Sequence, residues 1–254
     1  MSRLIKIYGE RNTNTNFLEK LIELNLDVRQ ISGVVPGYVK IVQILVPGKE
    51  WLKDFYFAVS SRGNLGWKHT RVMSPLKIEA LGVLEGETCF VSITKNPYSW
   101  LLSLYRKSYN RQYGHSKPDF ETFLQTPWKT VARDNCEKLL EGPIVLWNIK
   151  NTSYLPLVDL NGLNITTEGT VRDPEAIIDM ISSHFSIKKR RSEFLNYEKS
   201  TKDANKNFAY YQDYYLNERW RDEISETAIA IINKAVDKSL MKHFGYEILG
   251  NALP

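Results

Sequence analysis

The sequence predicts an α/β fold, a single domain with a central parallel sheet flanked by helices. Three stretches carry that expectation. Leu4-Ile5-Lys6-Ile7-Tyr8 reads as a short buried strand, followed by a polar loop and by Leu18, Leu21, Ile22 and Leu24 at helical spacing. Thr88-Cys89-Phe90-Val91-Ser92-Ile93-Thr94 reads as a second strand that runs into Lys95-Asn96-Pro97, where Asn96 caps a helix and Pro97 starts it. Leu160 to Thr166 reads as a third strand, and Asp173-Pro174-Glu175 then opens a helix through Phe185. Sheets built this way bind ligands at the carboxyl ends of their strands, where both polar loops fall.

The intervening chain is less regular. Leu26 to Ile31 is expected as a weak strand. Tyr38 to Val46, apolar and β-branched between Pro36-Gly37 and Pro47-Gly48, is expected as another. Periodicity leaves Trp51 to Ser60 open between helix and strand. The Arg62-Gly63-Asn64 turn leads into Leu65 to Thr70, and Ser74-Pro75 opens a helix to about Leu84. Phe120 to Leu124 and Ile144 to Leu155 read as helices. Tyr210 to Phe244 shows long helical periodicity ended by Gly245 as a C-cap.

A chain of 254 residues with 43% hydrophobic and 25% charged residues supports one domain with a sizeable core. The net charge of +5 points to an anionic ligand or partner. Spread over this length it is too thin for a nucleic-acid interface, so no nucleic-acid partner is expected. Cys89 and Cys136 offer neither a disulfide framework nor metal-ligand spacing, and Cys89 reads as a reduced thiol in a core strand. No run approaches a membrane span, and Arg3 is followed by no long apolar segment, so a cytoplasmic setting is expected.

The first loop, Gly9 to Phe17, carries Arg11, Asn12, Thr13, Asn14, Thr15 and Asn16. Small polar residues at a helix N-terminus expose backbone N–H groups to an anion. It is not a Walker A loop: Gly9 stands alone, Asn14 takes a glycine's place and no lysine follows. Asparagine tolerates the left-handed conformation, so the loop can still close. In the second loop Lys95 lies at the strand end, with Ser103 eight residues on, and the two can converge on one phosphate. Taken singly, each loop has a plain alternative, as an ordinary strand–helix connection or a solvated lysine.

Taken together, these residues resemble the sulfotransferases that use 3′-phosphoadenosine 5′-phosphosulfate. In that family a basic loop ending Gly-Thr before a helix holds the 5′-phosphosulfate, and Arg11 to Thr15 occupies its place. A strand, then Arg-Asn/Asp-Pro, then a helix with serine eight residues after the arginine holds the 3′-phosphate, and Thr94 to Ser103 reproduces it. The resemblance implies a P-loop-like domain spanning 1–254, with a donor-binding core in 1–110 and a mainly helical remainder in 111–254 that completes the core and the acceptor pocket. It implies the phosphosulfate nucleotide as donor, with no metal, and a small-molecule or glycan acceptor. A histidine between the two signatures takes the acceptor proton in many members, and His69, preceded by Lys68, falls at a comparable place. An imidazole is basic enough for that task at neutral pH. His115, His184 and His243 read as surface or packing residues. Arg11, Lys68 and the loop amides are expected to stabilise charge on the transferred group, and Phe17 takes the place of an aromatic that stacks on adenine.

The chain departs from the family at Asn12, where a lysine often falls, and at Lys95, which replaces arginine and loses its bidentate geometry. Lys199 to Asn207 loosely resembles the basic segment that closes over the 3′-phosphate, and Glu168 resembles a structural glutamate. Lys188 to Arg191 reads as a solvated charge run sooner than as a site for an anionic acceptor, and Tyr210, Tyr211, Tyr214, Tyr215 and Trp220 read as packing sooner than as a substrate platform, with both alternatives open. A P-loop-type kinase and a non-catalytic polyanion-binding module are the rival readings. The first is opposed by the missing Gly-Lys-Ser/Thr and by the lack of a clear magnesium-binding carboxylate, the second by scattered charge.

Overall fold

The computed structural model describes residues 3–45, 50–81, 88–107, 117–200, 203 and 205–250. Strand β1 (Leu4–Tyr8) leads through the first polar loop into helix α1 (Thr15–Asn25), and β2 (Arg29–Gln30) follows. Helices α2 (Gly37–Leu45), α3 (Glu50–Asn64) and α4 (Pro75–Ala80) come next. Strand β3 (Thr88–Thr94) then runs into α5 (Pro97–Arg106). Helix α6 (Phe120–Gln125) precedes a small antiparallel ribbon of β4 (Trp128–Lys129) and β5 (Leu139–Leu140), and α7 (Pro143–Tyr154) follows. Strand β6 (Leu163–Thr166) leads into α8 (Thr167–Arg172) and α9 (Pro174–His184). Helices α10 (Phe208–Leu216), α11 (Glu226–Ala235) and α12 (Lys238–His243) close the described chain.

The main sheet is four-stranded and parallel, in the order β2-β1-β3-β6. Alternation along the strands sorts its two faces. Ile5, Ile7, Val91, Ile93 and Ile165 pack on Leu18, Leu21 and Ile22 of α1 and on Ile178 and Ile181 of α9. On the other face Tyr8 and Phe90 meet Leu65, Val72, Ile78, Tyr154 and Leu157. A third cluster centres on Trp100, Phe123, Trp128, Trp147 and Trp220 and ties α5, α6 and α7 to the C-terminal helices. Because β1 and β3 are neighbours with Tyr8 opposite Ser92, their two polar loops emerge side by side.

Several expectations are borne out closely. Strand β3 has the expected bounds, and the Asn96 side chain caps α5 by accepting from the Tyr98 N–H at 3.0 Å. Gly245 ends α12 at φ 72°.

Other expectations are corrected. Residues 38–45 are helical, not a strand, and Val46 lies outside the described residues. Among the described residues no strand pairs with them. As a helix the run turns Val39 onto Phe57 and Trp67 while Tyr38, Ile41 and Val42 face outward. Trp51 to Ser60, left open by periodicity, belongs to α3. The third strand begins at Leu163, because Leu155–Leu160 forms a 3-10 helix that Asn161 ends in the left-handed region at φ 56°. Tyr210 to Phe244 is broken into three helices by Glu218 at φ 48° and by the caps Ser225 and Asp237. The helix expected to reach Leu84 is described as far as Ala80, and 82–87 lie outside the described residues.

Candidate active site

The first loop is built on close approach. A Cβ on Gly9 would sit 2.7 Å from Ile93 Cγ2 and 2.8 Å from the Ile93 carbonyl oxygen, so only glycine lets the loop lie on the end of β3. Asn12 and Asn14 take φ of 69° and 62°, the left-handed conformation that asparagine tolerates. The Asn14 side chain makes no capping bond to α1, so the first-turn N–H groups gain nothing from it. Thr13 turns inward, its hydroxyl donating to the Glu10 carbonyl at 2.6 Å.

Each loop is held by a buried indole. Trp100 donates Nε1–H to the Arg11 carbonyl at 2.8 Å, and Trp147 donates Nε1–H to the Lys95 carbonyl at 3.0 Å. The segment between them is clamped from two sides. The Gly9 N–H donates to the Lys68 carbonyl at 2.9 Å, and the Lys68 N–H donates to the Gly33 carbonyl at 3.1 Å. Beneath it, buried Lys6 donates to the carbonyls of Asn64 and Gly66 at 2.6 and 2.7 Å. Burial pushes the Lys6 ammonium down to about 7.

These elements converge on a cavity of about 430 Å3. Its wall includes Arg11, Asn12, Asn14, Thr15, Asn16 and Phe17 from the first loop and helix, Lys68 and His69, and Ser103. Thr13 and Lys95 are not in that wall. Lys95 lies fully buried behind it, donating to the hydroxyls of Ser103 and Tyr215 at 2.8 and 2.9 Å, both of which line the cavity. Burial, against the weaker pull of Glu168, lowers the Lys95 ammonium to about 7. Phe17 stacks on Phe208 at 5.5 Å, and Arg106, Lys107, Lys199 and Lys206 complete a basic lining. Of the late segment, Thr201, Lys202 and Ala204 lie outside the described residues, as does His115.

His69 is held as one tautomer. Its Nδ1 lies 2.5 Å from the Gly9 carbonyl, which can only accept, so Nδ1 carries the proton and Nε2 keeps its lone pair. Burial, then the charge of Lys68, hold the imidazole well below its ordinary range, so it is neutral. Trp67 meets its ring edge-on at 4.9 Å, and Arg11 lies 4.6 Å over the Trp67 ring. Lys68 is engaged elsewhere: its ammonium binds both Glu19 oxygens at 2.9 Å and Asn16 Oδ1 at 2.6 Å.

The sequence reading missed the group that supports all of this. Lys150, fully buried on α7, lies 2.8 Å from Glu10 Oε2 and 2.7 Å from Asp134 Oδ1, and also donates to the His69 carbonyl. Burial works against its charge, but Glu10 and Asp134 outweigh it and hold the ammonium above its ordinary value. Glu10 Oε1 accepts the Arg11 N–H at 2.7 Å. Glu168, expected to be structural, accepts the Asn96 N–H at 3.1 Å and the Tyr246 hydroxyl at 2.8 Å.

Among the described residues no group of three or more His, Cys, Asp or Glu side chains is arranged to hold a metal ion, and no helix is long and apolar enough to cross a membrane. Both cysteines are free. No model of a known protein family matches the chain, and no curated protein matches it.

Two outcomes test this electrostatic reading. Lys150→Met strands two buried carboxylates, and a loss of about 3–5 kcal/mol is expected in urea unfolding. Lys6 and Lys95 give stability a defined pH dependence. Their pKa values near 7 in the fold lie below the ordinary 10.5, so between those limits the unfolded chain binds more protons and stability rises with pH. Thermal melts are expected to shift upward from pH 7 to pH 9. Above the ordinary tyrosine range the trend reverses, because burial keeps Tyr8 and Tyr215 protonated in the fold.

Proposed function

We propose that this chain is a cytoplasmic sulfotransferase on a P-loop-like scaffold, moving a sulfuryl group from 3′-phosphoadenosine 5′-phosphosulfate to a hydroxyl or amine acceptor. One observation carries the reading. The loop after β1, the Lys95–Ser103 pair after β3 and a histidine with an open Nε2 meet at a single basic cavity. A nucleotide with phosphates at two positions matches two separate anion loops on adjacent strands.

In this reaction the acceptor oxygen forms a bond to sulfur as the bond from sulfur to the 5′-phosphate oxygen breaks. The acceptor proton passes to His69 Nε2, and adenosine 3′,5′-bisphosphate leaves. Arg11 and the N-terminus of α1 meet the charge that gathers on the leaving phosphate. Ser103, Tyr215 and Lys95 behind them take the 3′-phosphate, and Phe17 and Phe208 offer apolar faces to the base. Lys68, bound by Glu19, aligns the His69 segment and reaches the transferred group only by leaving that carboxylate.

A kinase would need the P-loop lysine that this loop lacks. The basic rim of Arg106, Lys107, Lys199 and Lys206 also suits a non-catalytic polyanion binder. A thermal-shift comparison separates the three. Adenosine 3′,5′-bisphosphate without magnesium is expected to stabilise the protein; stabilisation by ATP with magnesium alone, or by a polyanion alone, would overturn the proposal.

His69→Ala is expected to keep nucleotide affinity and lose at least ~100-fold in turnover. The acid limb of kcat/KM is expected below the ordinary imidazole range, since His69 is held neutral. Lys95 supplies a second pH test. Its lysine sits near 7 in the free protein and regains its charge beside a bound phosphate, so binding takes up a proton above pH 7. Affinity for adenosine 3′,5′-bisphosphate then falls from pH 7 to pH 9, by up to ~10-fold per unit. Calorimetry in buffers of different ionisation enthalpy reads the proton directly, and zero uptake removes Lys95 from the phosphate site.

A further inference from the structure

The helix pair α2 and α3 has its apolar side facing outward. Of the thirteen large apolar side chains exposed among the described residues, seven lie between Val34 and Val59. On α3, Trp51, Phe55 and Val59 follow one another at four-residue spacing and share a face, each more than half exposed. On α2, exposed Tyr38, Ile41 and Val42 share a face at spacings of three and four. The inner faces are satisfied separately, since Val35, Val39 and Phe57 pack on Trp67. The outer stripe is therefore not a core face awaiting the rest of this fold, and contiguous exposed apolar surface of this kind marks an interaction site.

Charge identifies the occupant. The acids of the pair, Glu50 and Asp54, both bind Arg133. Lys40 and Arg62 are exposed on the same two helices, at positions without an ion pair among the described residues. Aromatic and aliphatic side chains flanked by lysine and arginine, on helices lying at a surface, suit the boundary of an anionic bilayer. A second copy fits less well, because a self-complementary contact needs acids to meet Lys40 and Arg62, and the acids of the pair are already held by Arg133. The patch is also continuous with the cavity: Val34 at the head of α2 and Trp67 beneath the pair both line it.

We infer that the outer face of α2 and α3 docks on an anionic lipid surface and brings the cavity mouth to the headgroups. Resting on the sulfotransferase reading, the acceptor is then a lipid headgroup hydroxyl. Its oxygen bonds to sulfur as the sulfur–phosphate oxygen bond breaks, and its proton goes to His69 Nε2.

The test uses the full chain with vesicles of phosphatidylcholine, alone or with one quarter phosphatidylglycerol, read by co-sedimentation. Binding to the anionic vesicles is expected, reduced at least ~10-fold in a Trp51→Gln, Phe55→Gln, Val59→Gln variant and also in Lys40→Glu with Arg62→Glu. All these positions are exposed, and unchanged melting temperatures confirm folding. Should the triple variant unfold, the charge variant decides alone. Wild-type protein left in the supernatant with both vesicle types would overturn the inference. So would a dimer in sedimentation velocity that the triple variant abolishes, since the occupant would then be a second copy. Adenosine 3′,5′-bisphosphate binding is measured alongside. Vesicle binding without nucleotide binding keeps the docking face but removes the acceptor assignment, whereas nucleotide binding without vesicle binding removes both the docking face and the lipid acceptor and leaves the donor reading standing.

Discussion

The Lys150 ammonium lies out of reach of solvent between the carboxylates of Glu10 and Asp134, and the geometry of the cavity depends on that balance. Three ionised groups in an interior are tolerable only as a complementary set, each costly to strand. Because Glu10 belongs to the loop after β1, Asp134 to the loop that joins β4 to β5 and Lys150 to α7, neutralising the set joins three separate pieces of chain. The remaining donor capacity of Lys150 goes to the His69 carbonyl, and the remaining acceptor capacity of Glu10 to the Arg11 N–H. One buried ion cluster thus holds both the first loop and the His69 segment.

Around that centre the two loops obey a common logic. Adjacent parallel strands deliver them to one edge of the sheet, and an indole fixes a carbonyl in each, Trp100 of α5 in the first and Trp147 of α7 in the second. The helical remainder is therefore part of the site. It supplies Trp147, Lys150, Tyr215 and Phe208, without which the strand–loop–helix units would have the right order and no fixed relation to one another. The same burial that fixes Lys95 lowers its readiness to hold a proton. Lys68 is placed by its contacts with Glu19 and Asn16.

Where the reading of the sequence worked, the signal was local. The β-branched run of β3 ended at a capping asparagine and a proline, and both acted as their chemistry requires. Asn14 was legible as a left-handed position for the same reason, whereas Asn12, also left-handed, was not read as one. It failed where local pattern is ambiguous or silent. Residues 38–46 form an apolar β-branched run that either element accommodates, and the choice fell to whether a strand or Trp67 stood nearby. Glu10 sat inside the recognised loop yet carried no mark of its partner, because an ion pair between residues far apart in the chain leaves no spacing to read.

By itself the sequence determined the alternation of strands and helices, the two polar loops, the residues that turn them and the nominees Arg11, His69, Lys95 and Ser103. These rest on backbone preferences and periodicity, which act over a few residues. Only the tertiary structure decided that Lys95 stands behind Ser103 rather than in the cavity wall, that Lys68 belongs to Glu19, that His69 carries its proton on Nδ1 and that α2 and α3 turn their apolar faces outward. Each of those outcomes depends on which group approaches from elsewhere in the chain, and burial and charge pairing exist only once it has arrived.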